Sequence, residues 1–495
     1  TRSLIVTGVQ TCALPISITA LANAATISPE DLRAHLRGRR PKVGRGQDAL
    51  PAVASPRMNM HASIERSLAS LKQYLERHEH VVVMFSGGKD STATLTFFLW
   101  AVLTGRVPRP KSIRVILADT RLELPPLLRA ALRLLEEAQE KGEEHGVEVT
   151  THVAMAPLDE RILVYMLGKG PPPATNMTMR WCTRLAKGKP AETLLRELQG
   201  EDLRDVLILT GMRIGESAVR DAKIATVCSK DGGECGAGLY QRTDTRRNRA
   251  VLAPLVHWRA CHIWEWNFRW APAHEFGEWS TRLVAHVYGV DTPDEKDDLE
   301  GLDLTARTGC MSCFCVEEDR ATARVVKLAD WSHLAPVLEL KRLWRRLRQH
   351  DVRLRQPAGE RRADGELVKK QHRIGPITVA ARYEALEKVL DVQRRVNDAA
   401  ARENRLPWGA LDILNAEEES RIRELLAAND GRGTWPDGWT GREPLATDPF
   451  EEGGQLNFLV EDEDLDSPSL TPSEGASEAP PKPPHHPPPP PPPDP

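Results

Sequence analysis

The chain has 495 residues, which is more than one hydrophobic core usually holds, so we expect at least two structured units. The formal net charge is only −3, but residues 448–495 carry 11 acidic residues against one lysine, which leaves the rest of the chain mildly basic. This balance permits a polyanionic partner, and no apolar run approaches the roughly 18 residues of a membrane span, so we expect no membrane contact.

The first residues do not read as native sequence. Residues 6–16 read VTGVQTCALPI, which resembles the translation of a common sequencing-library adaptor. The apolar stretch that follows is too short for a signal peptide. We therefore treat residues 1–57 as an adaptor-like artefact and a disordered arm, and expect the native start at Met58, at Met60 or at a residue missing from this sequence. Without Cys12, seven cysteines remain, and an odd number favours metal or redox chemistry in a cytoplasmic protein.

Helical and strand patterns alternate over the first half of the chain. Continuous apolar, β-branched runs predict buried strands at residues 80–85, 112–118, 147–153 and 205–210. Helical spacing covers residues 64–78, 91–103 and 125–144. Strands that alternate with helices at this spacing predict an α/β fold built on a parallel sheet.

The pattern changes beyond residue 330. It becomes helical at residues 334–350, 379–397 and 416–428. Residues 448–495 are acidic and contain a run of seven prolines, so they bury too little apolar surface to fold. These shifts predict four parts: the arm at 1–57, an α/β domain with a cysteine cluster at 58–330, a helical region at 331–447 and a disordered tail at 448–495.

The strongest motif, SGGKDS at residues 86–91, directly follows the first predicted strand and opens a helix. Its glycines let the backbone approach a phosphate, and the helix N-terminus offers free N–H groups to the anion. The spacing is not that of a Walker A loop. The motif resembles the pyrophosphate loop of ATP pyrophosphatases, and the alternative is a plain glycine-rich turn. We expect the β- and γ-phosphates of ATP to contact Ser86, Gly87, Gly88, Lys89, Asp90 and Ser91.

Polar side chains also follow the second and fourth predicted strands. Residues 119–123 read DTRLE, and residues 210–213 read TGMR, followed by Glu216, Ser217 and Arg220. The carboxyl ends of strands in an open α/β sheet meet at the edge where ligands bind. Each segment alone is more often a solvated loop, but three such loops on one edge predict a nucleotide site. We expect this site to include Asp119, Thr120, Gly211 and Arg213.

Five segments in chain order, SGGKDST, DTRLE, RWCTRLAK, TGMRIGES and PLVHWRACHIW, resemble the phosphoadenosine-phosphosulfate reductase superfamily. This resemblance implies a sheet of the adenine-nucleotide α-hydrolase type. Within the superfamily, GCMSC at 309–313 and GPITVAARYEALEKVL at 375–390 resemble the DndC family, the sulfur-transfer component of bacterial DNA phosphorothioation. The resemblance covers about residues 64–428.

The resemblance implies ATP-dependent sulfur transfer to the DNA backbone, with pyrophosphate released. The expected partners are DNA, a cysteine desulfurase as sulfur donor and other DNA-modification proteins. The catalytic residues would be Lys89, Asp90, Asp119 and Cys182, with Asp90 or Asp119 helping to hold Mg²⁺ and Cys182 carrying a persulfide. Two alternatives remain: an assimilatory sulfonucleotide reductase, although no cysteine follows Cys315, and a non-catalytic relative that binds DNA or another partner.

The cysteines form a metal-type pattern. Cys310 and Cys313 make a C-x-x-C pair, and Cys315 lies two residues further on. The resemblance implies an oxygen-sensitive [4Fe–4S] cluster, with Cys182, Cys310 and Cys313 at the matching positions. The fourth ligand is either Cys315 or none, which would leave one iron open. A structural zinc ion is the alternative. The remaining pair, Cys228 and Cys235, flanks a glycine-rich loop.

The densest basic stretch, residues 341–373, carries 12 basic and 4 acidic residues. A DNA-modifying enzyme needs phosphate contacts, so this stretch is a candidate DNA-docking surface. On a helix, Lys341, Arg345 and Arg348 fall on one side, with Arg342 nearby. The alternative is a solvated helix face.

Overall fold

A six-stranded sheet lies at the centre of the chain and positions the predicted nucleotide-binding loops. The computed structural model describes residues 58–175, 180–200, 205–216, 239–243, 249–288, 309–355 and 374–428. Several predictions lie outside the described residues: those on the 1–57 segment with Cys12, on Ser217 and Arg220, on Cys228 and Cys235, on residues 356–373, and on the tail.

The strands of the sheet are β1 (His80–Phe85), β2 (Ser112–Asp119), β3 (Val149–Met155), β4 (Val206–Thr210), β5 (Leu239–Thr243) and β6 (Arg249–Ala253). Their order in the sheet is β3-β2-β1-β4-β6-β5. The first five in that order are parallel, and β5 pairs antiparallel with β6 at the edge. The predicted α/β fold with a parallel sheet is therefore confirmed, whereas β5 and β6 were not predicted.

The α-helices of six or more residues in the described ranges are α1 (Met60–Leu75), α2 (Lys89–Leu103), α3 (Pro125–Glu144), α4 (Lys189–Gln199), α5 (Ala260–Glu265), α6 (Arg282–Val287), α7 (Arg320–Val325), α8 (Glu339–Arg346), α9 (Val379–Arg402) and α10 (Ala416–Ala427). Single π-helical turns lie at Val164–Gly168, Arg184–Gly188 and Trp266–Trp270. A second sheet pairs β7 (Arg353–Arg355) antiparallel with β8 (Ile374–Ile377).

Strand β1 shows why helices cover both faces of the sheet. Val81, Val82 and Val83 are each at most 1% exposed. Val81 and Val83 pack in the large core shared with α1, α2 and α3, whereas Val82 packs in a smaller cluster with Ala191 and Leu195 of α4. A strand that is buried on both faces has a continuous apolar sequence, which is the pattern that predicted this strand.

The C-terminal region is helical, as predicted, but differs at one point. The single helix predicted at 334–350 is a 3₁₀ helix at Ala329–Leu338 followed by α8. Pro336 lies inside the 3₁₀ helix, and a proline there lacks the N–H that an α-helix would need, so α8 starts only at Glu339. Among the described residues, no helix is long and apolar enough to cross a membrane.

The order of the strands reverses between β1 and β4. Strands β2 and β3 follow β1 on one side, whereas β4 pairs with β1 on the other side. At such a switch point the loops that follow the two central strands diverge, which opens a crevice at the carboxyl edge of the sheet. The topology therefore places the segments after β1, β2 and β4 at the edge where α/β proteins bind nucleotides.

Candidate functional site

The loop at residues 86–91, which we call the PP-loop, is held largely by its own hydrogen bonds. The Ser86 N–H donates to the Ser91 hydroxyl at 3.2 Å, and the Ser91 hydroxyl donates to the Gly88 carbonyl at 3.0 Å. Gly87 has a φ of +70°, and a Cβ there would lie 2.8 Å from the Cβ of Ala131 on α3. Glycine at this position therefore satisfies both the backbone conformation and the close packing.

The loop after β4 lies directly against the PP-loop. A Cβ at Gly211 would lie 2.9 Å from both the N and the Cα of Ser91. These are backbone atoms, which cannot turn aside as the end of a flexible side chain can. The absence of a side chain at Gly211 thus lets the two loops meet across the crevice, and the next residues bring Arg213 to the start of α2.

Two cations share the carboxylate of Asp90. The Lys89 Nζ lies 3.2 Å from Asp90 Oδ2, and the Arg213 Nε donates to Asp90 Oδ1. Lys89 and Arg213 are almost fully buried. Burial alone would raise the pKa of Asp90, but the Arg213 and Lys89 cations outweigh it and lower that pKa. Burial lowers the pKa of Lys89, and the Asp90 carboxylate opposes this effect. The Glu216 carboxylate also raises the pKa of Lys89, so two cations face two carboxylates at this site.

Two further residues support Lys89, and sequence reasoning missed both. The Lys89 N–H donates to the Tyr288 hydroxyl at 3.3 Å, and its ammonium lies 5.5 Å from the centre of the Tyr288 ring. The Asn267 amide donates to the Lys89 carbonyl at 3.0 Å. Both partners are more than 170 residues away along the chain. No local pattern could have indicated them.

The loop after β2 presents a partly available carboxylate. Asp119 Oδ1 accepts a hydrogen bond from the Arg121 N–H at 2.7 Å, and Asp119 Oδ2 has no donor among the described residues. Burial raises the pKa of Asp119. The Thr120 hydroxyl donates to Glu123 Oε1 at 2.9 Å. Arg121 points away from this site, toward Asp412 and the buried Glu418 on the C-terminal side of the chain.

The segment with the three clustered cysteines, residues 310–315, docks onto this same loop, and we call it the thiol loop. Cys310 forms an antiparallel β-bridge with Glu123, and the Met311 N–H donates to the Leu122 carbonyl at 2.6 Å. The Thr120 hydroxyl lies 3.6 Å from Cys310 Sγ. The nucleotide edge and the thiol loop are therefore in direct contact, although they lie 190 residues apart in the chain.

The four cysteines predicted as ligands come together. A hydrogen bond from the Cys315 thiol lowers the pKa of Cys182, and a second hydrogen bond links Cys313 with Cys315. Burial raises the pKa of Cys310 to about 12. All four are partly exposed free thiols. In the described ranges, no three Cys, His, Asp or Glu side chains are arranged to hold a metal ion.

Lys187 links the thiols to the loop after β2, and sequence reasoning did not assign it a role. Its Nζ lies 3.2 Å from Glu123 Oε1. Burial alone would lower the pKa of Lys187, but the Cys310 sulfur and Glu123 outweigh it and raise that pKa. Lys187 therefore remains a cation beside the sulfur atoms, five residues after Cys182.

Three partly exposed residues that were predicted as DNA contacts donate to backbone carbonyls of the thiol loop and of the residues next to it. Lys341 donates to the carbonyls of Cys313, at 2.7 Å, and of Val316. Arg345 donates to the Glu317 carbonyl at 2.9 Å. Arg348 donates to the Phe314 carbonyl at 2.6 Å and to the Ala174 carbonyl. Each of the three side chains thus uses part of its donors on these backbone carbonyls. Arg342 on the same helix is exposed.

Residues 80–271 match the family model of the phosphoadenosine phosphosulfate reductase domain. The matched region contains the PP-loop, the loops after β2 and β4, and Cys182. An uncharacterized protein of Methanocaldococcus jannaschii is 27% identical to the chain over 189 residues, which are 38% of this chain and 31% of that protein. The chain thus spans about a third of the length of this curated relative.

The family match supports the phosphoadenosine phosphosulfate reductase superfamily for the α/β part of the chain. The parallel sheet flanked by helices is consistent with the adenine-nucleotide α-hydrolase type of fold expected there. The thiol loop lies outside the matched residues.

Proposed function

We propose that this protein activates the DNA backbone with ATP and then transfers sulfur to it, using an iron–sulfur cluster held by the four thiols. The observation that carries the proposal is the contact between Thr120, at the nucleotide edge, and Cys310 of the thiol loop. A site that joins a phosphate-binding loop to a group of thiols fits a reaction that uses ATP and sulfur together.

The PP-loop and its two cations suit the phosphates of ATP. The N–H groups at the start of α2 and the positive end of its dipole favour an anion. Lys89 and Arg213 both bind Asp90, so an arriving phosphate would compete with that carboxylate for them. Asp90 is therefore poorly placed as a magnesium ligand. Asp119, with one oxygen that has no donor among the described residues, fits Mg²⁺ better, since this ion prefers carboxylate and phosphate oxygens.

The thiols fit a [4Fe–4S] cluster in donor chemistry, but in the described ranges they are not arranged around a common centre. Cys182, Cys310, Cys313 and Cys315 supply four soft sulfur ligands from two segments that pack together. To bind a cluster, the thiols must turn from one another toward the iron ions. Such a cluster, when held by Cys182, Cys310 and Cys313 alone, would supply an open iron to which sulfur can bind. Lys187, Lys341 and Arg348 would then offset the negative charge of the thiolates.

The DNA acceptor is proposed from the resemblance of residues 309–313 and 375–390 to the DndC family. A non-bridging phosphate oxygen is a poor leaving group. Its attack on the α-phosphorus of ATP would expel pyrophosphate and convert it into an adenylate. Sulfide would then displace AMP and leave a phosphorothioate. In the alternative to a cluster-bound sulfur, Cys182 is free of the cluster and receives the sulfur as a persulfide from a cysteine desulfurase, and a thiol reductant must supply two electrons to release it.

The cluster is tested by anaerobic purification. We expect iron and sulfide in the protein, with the broad visible absorbance of thiolate-bound iron–sulfur clusters. Cys310→Ser and Cys313→Ser should remove this absorbance, whereas Cys261→Ser, a partly buried thiol on α5, should not. Stoichiometric zinc without iron would replace the cluster with a structural zinc site.

The acceptor is tested with radiolabelled cysteine, a cysteine desulfurase, ATP and duplex DNA under anaerobic conditions. We expect labelled phosphorothioate linkages after nuclease digestion, and one pyrophosphate released for each sulfur incorporated. Sulfite released from phosphoadenosine phosphosulfate with thioredoxin, and no label in DNA, would instead indicate a sulfonucleotide reductase.

A further inference from the structure

The four thiols come from two segments of the chain, and the Arg348 side chain donates to a carbonyl in each of them. Arg348, two residues after the end of α8, donates from its Nη2 to the Phe314 carbonyl of the thiol loop at 2.6 Å. The same nitrogen donates to the Ala174 carbonyl, in the segment that leads toward Cys182. The Cys315 thiol points to that same Ala174 carbonyl, at 3.9 Å. Ala174 is thus the place where the two segments meet.

The Arg348 guanidinium is only partly exposed, and its charge is not paired with an acidic side chain in the described residues. Within the described part of the chain it has no carboxylate partner, and its Nε is buried without a hydrogen-bond acceptor. Burial lowers the pKa of Arg348, and the sulfur atoms of Cys315 and Cys313 oppose this effect. A half-buried arginine that has no acidic partner lowers the stability of the fold unless nearby groups interact favourably with its charge. Here the surroundings are backbone carbonyls and thiols, both of which are stabilised by a cation.

Aromatic packing brings the Cys182 segment and the thiol loop together but does not fix the distance between them. The Trp181 ring, next to Cys182, lies 6.4 Å from the ring of Phe314, and Phe314 packs edge-on against Trp344 of α8 at 5.2 Å. The Trp181 indole donates to the Pro172 carbonyl at 2.9 Å. Such ring contacts tolerate sliding, whereas a guanidinium that donates to two carbonyls fixes a distance.

We infer that Arg348 is a positioning residue that sets the distance between Cys182 and the thiol loop by binding the Ala174 and Phe314 carbonyls together. Lys341 and Arg345 hold only the thiol loop itself, so they do not span the two segments. The inference deepens the proposed function, because it concerns the same thiols. It is nonetheless tested without a metal and without sulfur transfer.

The test uses the full-length, iron-free, reduced protein with limiting diamide, followed by mass-spectrometric mapping of disulfides. In the wild-type protein we expect the disulfide between segments, Cys182–Cys315, to exceed the disulfide within the loop, Cys313–Cys315. In Arg348→Ala this ratio should fall about tenfold, the change expected from losing a hydrogen bond with a charged donor. Arg342→Ala is the matched control, since Arg342 is exposed on α8, and it should leave the ratio unchanged.

Arg348→Lys keeps the charge on a shorter side chain without the planar guanidinium, and we expect an intermediate ratio. This variant also decides the question if Arg348→Ala does not fold. A ratio equal to that of the wild-type protein in every folded Arg348 variant would overturn the inference. Iron content, measured separately after anaerobic purification, tests the proposed function, so protein that holds no iron leaves the disulfide ratio fully informative.

Discussion

The PP-loop and the thiol loop lie at the same edge of the sheet, but they are built in opposite ways. The PP-loop is a contiguous run closed by hydrogen bonds between Ser86, Gly88 and Ser91. The thiol loop is held from outside, by Lys341, Arg345 and Arg348 donating to its carbonyls. The difference teaches that a motif recognisable by its local sequence also carries its own geometry, whereas a scattered site depends on distant residues for its shape.

The cations of the two regions differ in the same sense. Beside the PP-loop, Lys89 and Arg213 are bound to the carboxylate of Asp90, which a phosphate can replace. Around the thiol loop, the cations bind backbone carbonyls, which no anionic ligand can replace. The first set is suited to exchange partners during a reaction, and the second set to hold a fixed shape.

The largest effect is expected from a mutation that impairs the PP-loop and leaves the thiol loop unchanged. Lys89→Ala should lower the rate of pyrophosphate release from ATP at least ~100-fold, because it removes a preorganised cation from the phosphate site. The iron content should stay unchanged, since Lys89 does not contact the thiols. A coupled pyrophosphate assay and an iron assay on the same preparation check both outcomes.

Lys111→Ala is the control, because Lys111 is an exposed lysine paired with Glu79 at the opposite end of β2. Its rate should equal that of the wild-type protein. Normal turnover in Lys89→Ala would contradict the assignment of the PP-loop. Loss of iron in that variant would show that the two regions are not built independently.

A smaller effect is expected at the contact between the PP-loop and the loop after β4. In Gly211→Ala the new Cβ would meet the Ser91 backbone at 2.9 Å, so one of the two loops must move. We expect the free energy of unfolding to fall by about 1–3 kcal/mol, as for other overpacked sites. The KM for ATP should also rise. Denaturant unfolding and steady-state kinetics measure the two effects.

Gly309→Ala, beside the thiol loop, is the matched control, because its Cβ would meet no described atom within 4 Å. It should change neither quantity. If Gly211→Ala behaves like Gly309→Ala, the PP-loop does not depend on the loop after β4, and its geometry is even more local than proposed.

The smallest effect concerns the anchoring of α8, the helix that carries Lys341 and Arg345. Glu339 accepts hydrogen bonds from Lys388 and Arg395 of α9, at 2.6 and 2.7 Å. The hydrogen bond from Arg395 is the main cause that lowers the pKa of Glu339 to about 2. Because the pair is partly exposed, Glu339→Gln should cost no more than ~1 kcal/mol at pH 7.

This contribution has a defined pH dependence. The folded pKa lies below the unfolded value of about 4.3, so the stabilisation is present above that value and is lost as the pH falls toward 2. The Tm difference between Glu339→Gln and the wild-type protein should therefore shrink between pH 5 and pH 3. Glu318→Gln, which changes an exposed carboxylate paired with Arg320, should give no Tm difference at either pH.

The sheet could be predicted because its strands are local apolar runs. Strands β1 and β2 and helix α3 lie within one residue of the predicted limits. Helix α2 begins two residues earlier than predicted, because Gly88 adopts the extended conformation of an N-cap. Strands β5 and β6 have only five residues each and lie in a charged stretch. Their pairing depends on the sheet edge rather than on any pattern of their own.

The candidate site also has residues that the sequence could predict and residues that only the folded chain brings together. The PP-loop residues and the four cysteines could be named from the sequence, because their spacing is the signal. Tyr288 and Asn267 could not, since they reach Lys89 only through the folded chain. The basic face of α8 shows the limit most clearly. A row of Lys and Arg has the same sequence pattern whether it faces solvent, a nucleic acid or the carbonyls of a neighbouring loop.

The distance along the chain between the two thiol-bearing segments also sets an order in time. Ala174 and Arg348 are 174 residues apart. At about 5–20 residues per second, the ribosome needs roughly 10–35 s to make the residues between them. For most of that interval Cys182 exists without Cys310, Cys313 and Cys315, whereas the last strand of the six-stranded sheet ends at Ala253. The four thiols thus come together only late in biogenesis, and an oxidant present earlier meets Cys182 without the other three.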